Sequence, residues 1–414
     1  MAVSCDQRFT TAPLVTVQRR LWWRHHQRVL PAVYNVAHRV DLTGDLDEDA
    51  LGRAVEALVH RHAALRMRVA EHDGTLVQEV LAPAPVPLRV DDIADADRWC
   101  ADLAAAPFAL DVAPLHRFRL GRLDAGRWVL AIVLHHMVCD GVSLGIQLAE
   151  LTELYAAARQ GRDPDLPTAV PHAGYARWEH AGPSPARRAE LVRYWRSALS
   201  DVDVMPTLPA DLPRTAAVSG RSAVYESVLS PEIVTGVETV AAEQGGTPYA
   251  VLATAFATWL AGVCGTESVV LATSSANRTR PEHERVVGMI GDAVLVRVRP
   301  NAPLTEFSAA LFGGLDHQDL PLDEVVAAVA PDQVDRQFPT VLFTVVTTPP
   351  PQLALPGVES RLSGLVVPGV ARTELYVRIA EHRIYWEYST DLFTEATVAG
   401  WAAALHAELT RLVR

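Results

Sequence analysis

Read for the spacing of its apolar positions, the chain alternates helical and extended periods along its whole length. Residues 47–62 place Leu51, Val55, Leu58 and Val59 on one face of a helix. The stretch from Arg66 to Leu81 then alternates as a hairpin, with Asp73-Gly74 suited to the positive backbone angles of its turn. A second hairpin follows: His116–Leu123, a turn at Asp124-Ala125-Gly126, and the apolar run from Trp128 to Leu134. After it, Leu144, Leu148, Leu151 and Tyr155 share a helical face, with Ser143 as the expected cap and Gly161 as the stop.

From about Asp163 to Pro213 the composition changes. Eight prolines surround one amphipathic segment, Ala186–Leu199, which reads as a helix within a connection. The pattern then restarts with a strand at Arg221–Ser230 and a helix opened by Ser230-Pro231. Thr247-Pro248 opens a second helix, apolar nearly all round and therefore expected to be buried. A strand at Ser268–Thr273 runs into the polar loop Ser274–Arg285. Further strands are expected near Val341–Val346, Glu374–Ala380 and Arg383–Ser389, with a closing helix from about Thr394. The two halves have a similar order of elements, so an α/β fold of two related lobes is expected: residues 1–172 as an N-terminal lobe, 173–215 as linker and helix, and 216–414 as a C-terminal lobe.

Composition narrows the function. At 414 residues, 49% hydrophobic and 21% charged, the chain has the make-up of an ordinary globular protein. A net charge of −12 argues against a nucleic-acid binder, whose footprint is basic. Cys5, Cys100, Cys139 and Cys264 show no metal-ligand spacing and read as reduced thiols. No apolar leader and no stretch of about 20 apolar residues is present, so a cytoplasmic location without a membrane span is expected. Asp91, Asp92, Asp95, Asp97, Asp332 and Asp335 follow no metal-site order, and no metal is expected.

The chemistry concentrates in His135-His136-Met137-Val138-Cys139-Asp140-Gly141, where the second predicted hairpin ends. A lone histidine at a strand end reads as a structural cap. Two imidazoles, with an acid four residues beyond the second and a glycine directly after it, read as a reactive site on the connection from strand to helix. An imidazole with a pKa near ~6.5 can take a proton from an attacking amine or hydroxyl. The acid can hold local geometry through an ion pair, and the glycine allows close backbone approach. Elsewhere, Arg19, Arg20, Arg24, His25, His26 and Arg28 form a basic cluster that suits either an acidic partner or solvent. Trp22 and Trp23 read as packing residues, and His60, Arg61 and His62 as a helix end.

These segments together resemble the condensation domains of nonribosomal peptide synthetases, within the acyltransferases built like chloramphenicol acetyltransferase. The resemblance runs in order through Leu14–Trp23, Arg61–Val69, His135–Ser143, Tyr175–His180 with Arg193–Leu199, Ser274–Val298, Asp316–Val326 and Tyr388–Val398. It implies two chloramphenicol-acetyltransferase-like lobes forming a V-shaped pseudo-dimer with a central tunnel, the second lobe carrying a floor loop and a latch. It implies that His136 orients or deprotonates the nucleophile, with His135 in support. Asp140 would pair with Arg278 of the second lobe, and Gly141 would offer a backbone N–H to the oxyanion. It further implies a peptidyl or acyl carrier protein as partner, acting in trans on a free-standing protein and supplying the phosphopantetheine arm, so that no cofactor is bound. The nucleophile would be a small molecule or carrier-bound amine, giving an amide.

Ester formation, epimerisation and a non-catalytic docking role are the alternatives within the same fold. The intact double histidine and acid weigh against the docking role. His135 weighs against the cyclising subfamily, which has an aspartate there. One departure is Asp292, which stands where the family more often has a neutral side chain.

Overall fold

The computed structural model describes residues 9–27, 32–214, 219–333, 339–346, 352–366, 369 and 371–414. Cys5, Arg28, Asp335 and the predicted boundary between 215 and 216 lie outside the described residues. The first elements are β1 (Phe9–Pro13), α1 (Thr16–Gln27), β2 (Asn35–Gly44), α2 (Glu48–Arg61), β3 (Met67–His72), β4 (Thr75–Leu81) and β5 (Arg89–Asp92). They continue with α3 (Ala96–Ala105), β6 (His116–Asp124), β7 (Arg127–His135), α4 (Gly141–Gln160), α5 (His172–Ala181) and α6 (Pro185–Ala198). Next come β8 (Ser222–Val228), α7 (Pro231–Glu243), α8 (Pro248–Cys264), β9 (Val269–Ser275), β10 (Asp292–Val298), α9 (Leu304–Asp316) and α10 (Leu322–Val329). The last are β11 (Val341–Val346), β12 (Val358–Val366), β13 (Leu375–Ala380), β14 (Arg383–Ser389) and α11 (Glu395–Leu412).

The chain divides into two compact units, each discontinuous in sequence. The first comprises Met1–Gly182, Arg278–Gly291 and Pro350–Pro368; the second comprises Pro183–Asn277, Asp292–Pro349 and Gly369–Arg414. The contiguous division at 172 and 215 is thereby corrected, for a physical reason. Strand β12 leaves the C-terminal half to pair antiparallel with β2, from Val358↔Gly44 to Val366↔Ala37. The strip 278–291 is likewise bonded into the first unit. The proline-rich connection is also two helices rather than one, with Gly182 ending α5 at φ +66° before α6 begins.

In the first unit, the main sheet has the order β12-β2-β7-β6-β5, and a smaller sheet has the order β1-β4-β3. Strand β7 is buried from Val129 to His135 because both of its faces are covered. Val129 and Ala131 pack on Ala96 and Cys100 of α3. Alternation sends Leu130, Ile132 and Leu134 to the opposite face. This sandwiched strand carries the double histidine at its end.

The second unit holds a sheet of order β10-β9-β11-β13-β14-β8, in which β11 runs parallel to β9 and β13. Strand β9 again alternates between two cores: Val269 and Leu271 join α7, α8 and α11, whereas Val270 and Ala272 join α6 and α10. Helix α8 is buried almost throughout, as its uniform apolarity requires. Ser230, Thr247 and Thr394 cap their helices as their sequences foretell.

Gly288 is the tightest point of the returning strip. Its φ is +154°, and a Cβ there would lie 2.2 Å from His172 Cδ2. His172 cannot yield, since its Nδ1 faces Gln78 Oε1 at 3.2 Å and its Nε2 faces the Met289 carbonyl at 2.9 Å. Gly288→Ala is therefore expected to cost roughly 2 kcal/mol or more in denaturant unfolding, from overpacking and backbone strain together. Unchanged stability would mean that the strip is not seated as described.

Candidate functional site

Strand β7 delivers His135 into a closed environment. Its side chain is fully buried, with the rings of His25, Tyr34 and Phe108 at centroid distances of 5.6, 6.1 and 6.2 Å. His135 Nδ1 accepts a hydrogen bond from the Met137 N–H at 3.0 Å, which places the proton of the neutral ring on Nε2. The turn after the strand is thus held by the side chain of its own first residue. His136 begins that turn. Its N–H donates to the Tyr34 carbonyl at 2.8 Å, and its imidazole is partly exposed. His136 Nδ1 lies 3.1 Å from Met289 Sδ. A thioether only accepts, so Nδ1 carries the proton and Nε2 holds the basic lone pair.

Asp140 terminates the turn and caps α4, correcting the expectation that Ser143 does so. Its Oδ1 accepts from the Ser143 N–H at 2.8 Å and from Ser143 Oγ at 2.7 Å. Arg278 approaches as a fork, with Nη1 donating to Oδ2 at 3.0 Å and Nη2 to Oδ1 at 3.1 Å. The Ile290 and Gly291 N–H groups complete the set at 3.2 and 3.0 Å from Oδ2. Side-chain exposure is only 5% for Arg278 and 7% for Asp140. Burial pushes the Asp140 carboxyl up, but the Arg278 charge, its hydrogen bonds and those from Ser143 outweigh it and hold the group below the usual carboxylate range. A carboxylate has about four lone-pair sites, and six donors leave it no capacity to take a proton. Asp140 is therefore a structural anion.

The same strip is fastened at further points. Ser143 Oγ accepts from the Gly288 N–H at 3.0 Å, and the Gly288 carbonyl, at 2.9 Å, is the alternative acceptor for the one hydroxyl proton otherwise donated to Asp140. Arg278 Nη2 also donates to the Val286 carbonyl at 2.9 Å. On α4, buried Glu150 receives Arg61 Nε at 2.8 Å, His62 Nε2 at 2.6 Å and Arg285 Nη2 at 3.2 Å. Burial alone would raise the Glu150 carboxyl, yet the hydrogen bonds and charges of His62 and Arg61 bring it down to about 2. From the other side, Gln18 Nε2 donates to the Met137 carbonyl at 2.9 Å.

Gly141 is the first residue of α4 and is exposed; a Cβ on it would meet nothing within 4 Å, and its φ is not positive. Neither the backbone nor the packing requires glycine there. Cys139 has no part in nucleophilic chemistry, because burial and the adjacent Asp140 lift its thiol far above its ordinary value.

The structure brings His135, His136, Asp140, Gly141 and Arg278 together within the first unit. Arg278 belongs to that unit rather than to the second lobe. Sequence reasoning missed the positioning side chains Gln18, Gln78, His172 and Met289, and gave Ser143 only the part of a helix cap. Gly288 was the one available signal for the seating of the strip. The acids at 91, 95 and 97 serve Arg119, the α3 cap and Arg39 respectively. Trp23 corrects its packing assignment, being 44% exposed. In the second unit, His317 stacks on Tyr194 at 3.7 Å, and its carbonyl accepts from Trp195 Nε1 at 3.1 Å, so it serves local structure. Asp292 accepts from the next residue's N–H at 2.9 Å. Among the described residues no cluster fit to hold a metal occurs, and no single helix is long and apolar enough to cross a membrane.

Compared with known proteins, residues 9–414 match the condensation domain family. The chondramide synthase of Chondromyces crocatus is 29% identical over 97% of this chain, which covers 11% of that relative. The chain thus spans about a tenth or less of the first curated relatives it matches. Among solved structures, the X-domain from teicoplanin biosynthesis superposes with a TM-score of 0.86 at 22% identity, over 100% of this chain and 96% of that one. The first condensation domain of the calcium-dependent antibiotic synthetase gives 0.81 at 20% identity, over 98% and 96%.

Two outcomes follow from the geometry. Asp140→Ala strands Arg278 in a buried site and is expected to cost about 3–5 kcal/mol of stability by denaturant melt. Adding Arg278→Met should recover part of that loss. A fully stable but inactive Asp140→Ala would instead make the acid catalytic. For Glu150, the folded value near 2 lies below the unfolded one, so its contribution is present above about pH 4.5 and fades as pH falls toward 2. The stability gap between wild type and Glu150→Gln should shrink by on the order of 3 kcal/mol between pH 6 and pH 2. A gap independent of pH would contradict the depressed carboxyl.

Proposed function

The chain belongs to the condensation domain family, and on that premise we propose that it transfers an acyl or aminoacyl group from a carrier-protein thioester to an amine, forming an amide in natural-product biosynthesis. One observation carries the reading: His136 is a partly exposed imidazole at the end of a rigid strand, with Nδ1 committed to Met289 and the basic lone pair on Nε2. In the proposed step the amine nitrogen attacks the thioester carbonyl while His136 Nε2 takes its proton. The oxyanion is met by the Gly141 N–H at the start of α4, where helix-end N–H groups favour negative charge. The C–S bond then breaks, and the departing pantetheine thiolate takes the proton back from His136. Asp140 and Arg278 hold the turn; His135 supports it from behind.

The open space beside Gly141 supports this assignment, since glycine there has no structural cause and an incoming substrate would supply one. The donor is already activated as a thioester, so the step needs no nucleotide and no cofactor beyond the phosphopantetheine arm on the carrier. Carrier proteins presented in trans are the proposed partners.

The test is turnover of a loaded acyl carrier protein with amine and with hydroxyl acceptors. Wild type should form product with the amine. His136→Ala should fold normally and lose at least ~10²-fold in rate, the usual scale of a lost base. Near-wild-type turnover by His136→Ala would remove the histidine from the mechanism. Product from the hydroxyl acceptor alone would make the enzyme an ester former, and deuterium entry at the donor α-carbon would make it an epimerase. A protein that binds the loaded carrier without turnover under any arm would be a docking module.

A further inference from the structure

A second concave site lies in the first unit, at the outer end of its main sheet. It is a groove of about 660 Å³ whose lining includes Val55, Val59, Leu65, Phe108 and Phe118, with proline-rich walls at 83–87 and 107–114. That volume is within the ~300–1,000 Å³ range of small-molecule sites. His136 is not among its lining residues.

Three polar side chains on this apolar surface have no carboxylate partner among the described residues; Arg117 also lies over the Phe108 ring, 3.7 Å from its centroid. His116, at the start of β6, is only 5% exposed, and neither ring nitrogen has a hydrogen-bond partner. Buried polar groups are almost always paired, so an imidazole left with an idle donor and an idle acceptor needs a reason. Arg66 and Arg117 also line the groove. Each is bonded only to backbone carbonyls among the described residues: Arg66 to Val59 and Leu81, Arg117 to Ala106 and Pro107. Neither has a carboxylate within ion-pair distance among the described residues, although the chain carries a net charge of −12 and most of its arginines are paired. Arg119 beside them shows the contrast, with Asp91 as its partner.

Apolar walls, two unneutralised guanidinium groups and an idle imidazole together describe the complement of an amphipathic anion. We infer that this groove binds a small carboxylic acid with an apolar body, an alkyl or aryl chain of medium length. The chain lies on Val55, Val59, Leu65 and Phe118. The carboxylate pairs with the guanidinium of Arg66 or Arg117, and the imidazole of His116 supplies a further polar contact. The charge selects a carboxylate over a neutral lipid, and a groove of this volume suits a small molecule. Phe108 is shared with the histidine site, since its ring stands edge-on to that of His135 at 6.2 Å. An occupant therefore presses on the rear wall of the site without entering it.

The experiment titrates the whole protein with octanoate, octan-1-ol and acetate, read by calorimetry and by ligand-observed NMR. Octanoate should bind, with octanol and acetate each at least tenfold weaker. Arg66→Gln or Arg117→Gln should weaken octanoate at least tenfold, and which of them does so locates the carboxylate. His116→Phe keeps the shape and removes an unpaired buried polar group, so it should melt at or above the wild-type temperature while binding octanoate less well. Absence of octanoate binding, equal binding of octanol, or octanoate affinity unmoved by all three substitutions would each overturn the inference. The wild-type probe series stands even if an arginine variant folds poorly. His136→Ala should bind octanoate as wild type does, which keeps this result separate from the fate of the proposed acyl transfer.

Discussion

The site depends on burying one negative charge. Asp140 sits at the joint between strand β7, its turn and helix α4, in a position 7% exposed to solvent. An isolated carboxylate there would cost several kcal/mol and would take up a proton instead. The six donors that prevent this come from two places 135 or more residues apart: Ser143 on α4, and Arg278, Ile290 and Gly291 on the strip. The charge can be buried only once the strip is seated, and the strip has its strongest anchor only once the charge is there. Folding of the turn and docking of residues 278–291 are in that sense a single event. The same saturation leaves the Asp140 carboxylate no free lone pair with which to take up a proton.

The two adjacent histidines divide along the alternation of the strand. His135 follows Val129, Ala131 and Val133 onto the face that packs on α3 and ends among aromatic rings, where its Nδ1 fastens the turn. His136 lies one residue beyond, where the strand has given way to the turn, and reaches partial exposure beside Met289. One imidazole is spent on geometry so that the other can be placed. Around them, buried Gln18 holds the Met137 carbonyl, His172 lies between Gln78 and the Met289 carbonyl, and Ser143 links Asp140 to Gly288. Such partners are directional in a way that apolar packing is not.

Much of this was legible in the sequence because it is local. The run from Trp128 to Leu134, the doubled histidine, the Ser230 and Thr247 caps and the uniformly apolar α8 follow from spacing and residue type alone. The resemblance added Asp140 and Arg278 as partners. What escaped was non-local. Strand β12 carries no mark that it will pair with β2, more than 300 residues before it, so a contiguous second lobe was the natural expectation. Strand β2 was itself unseen, although it lies between β7 and β12. Ser143 was preferred as the cap because a serine before an apolar face is a strong local signal, and Asp140 won because its other oxygen had a cation to meet. Gln18 and Gln78 look like surface residues in any window of sequence; only tertiary contact makes them internal.

The rigidity of the arrangement bears on the chemistry proposed for it. With a thioester donor the chemical barrier is already reduced, and much of what a protein can add is placement of the nucleophile and of one basic nitrogen. Well-oriented groups gain about 7–11 kcal/mol over the same groups free in solution, but only if the catalytic atom is held to within a fraction of an ångström. His136 meets that need by being held through its own N–H, its Nδ1 and the turn that follows it, with Gln18 bracing the Met137 carbonyl and Asp140 closing the end. Gly141, the residue with no structural reason to be glycine, stands immediately after the last of these braces. This braced turn thus leads directly to the position beside which a Cβ would meet nothing.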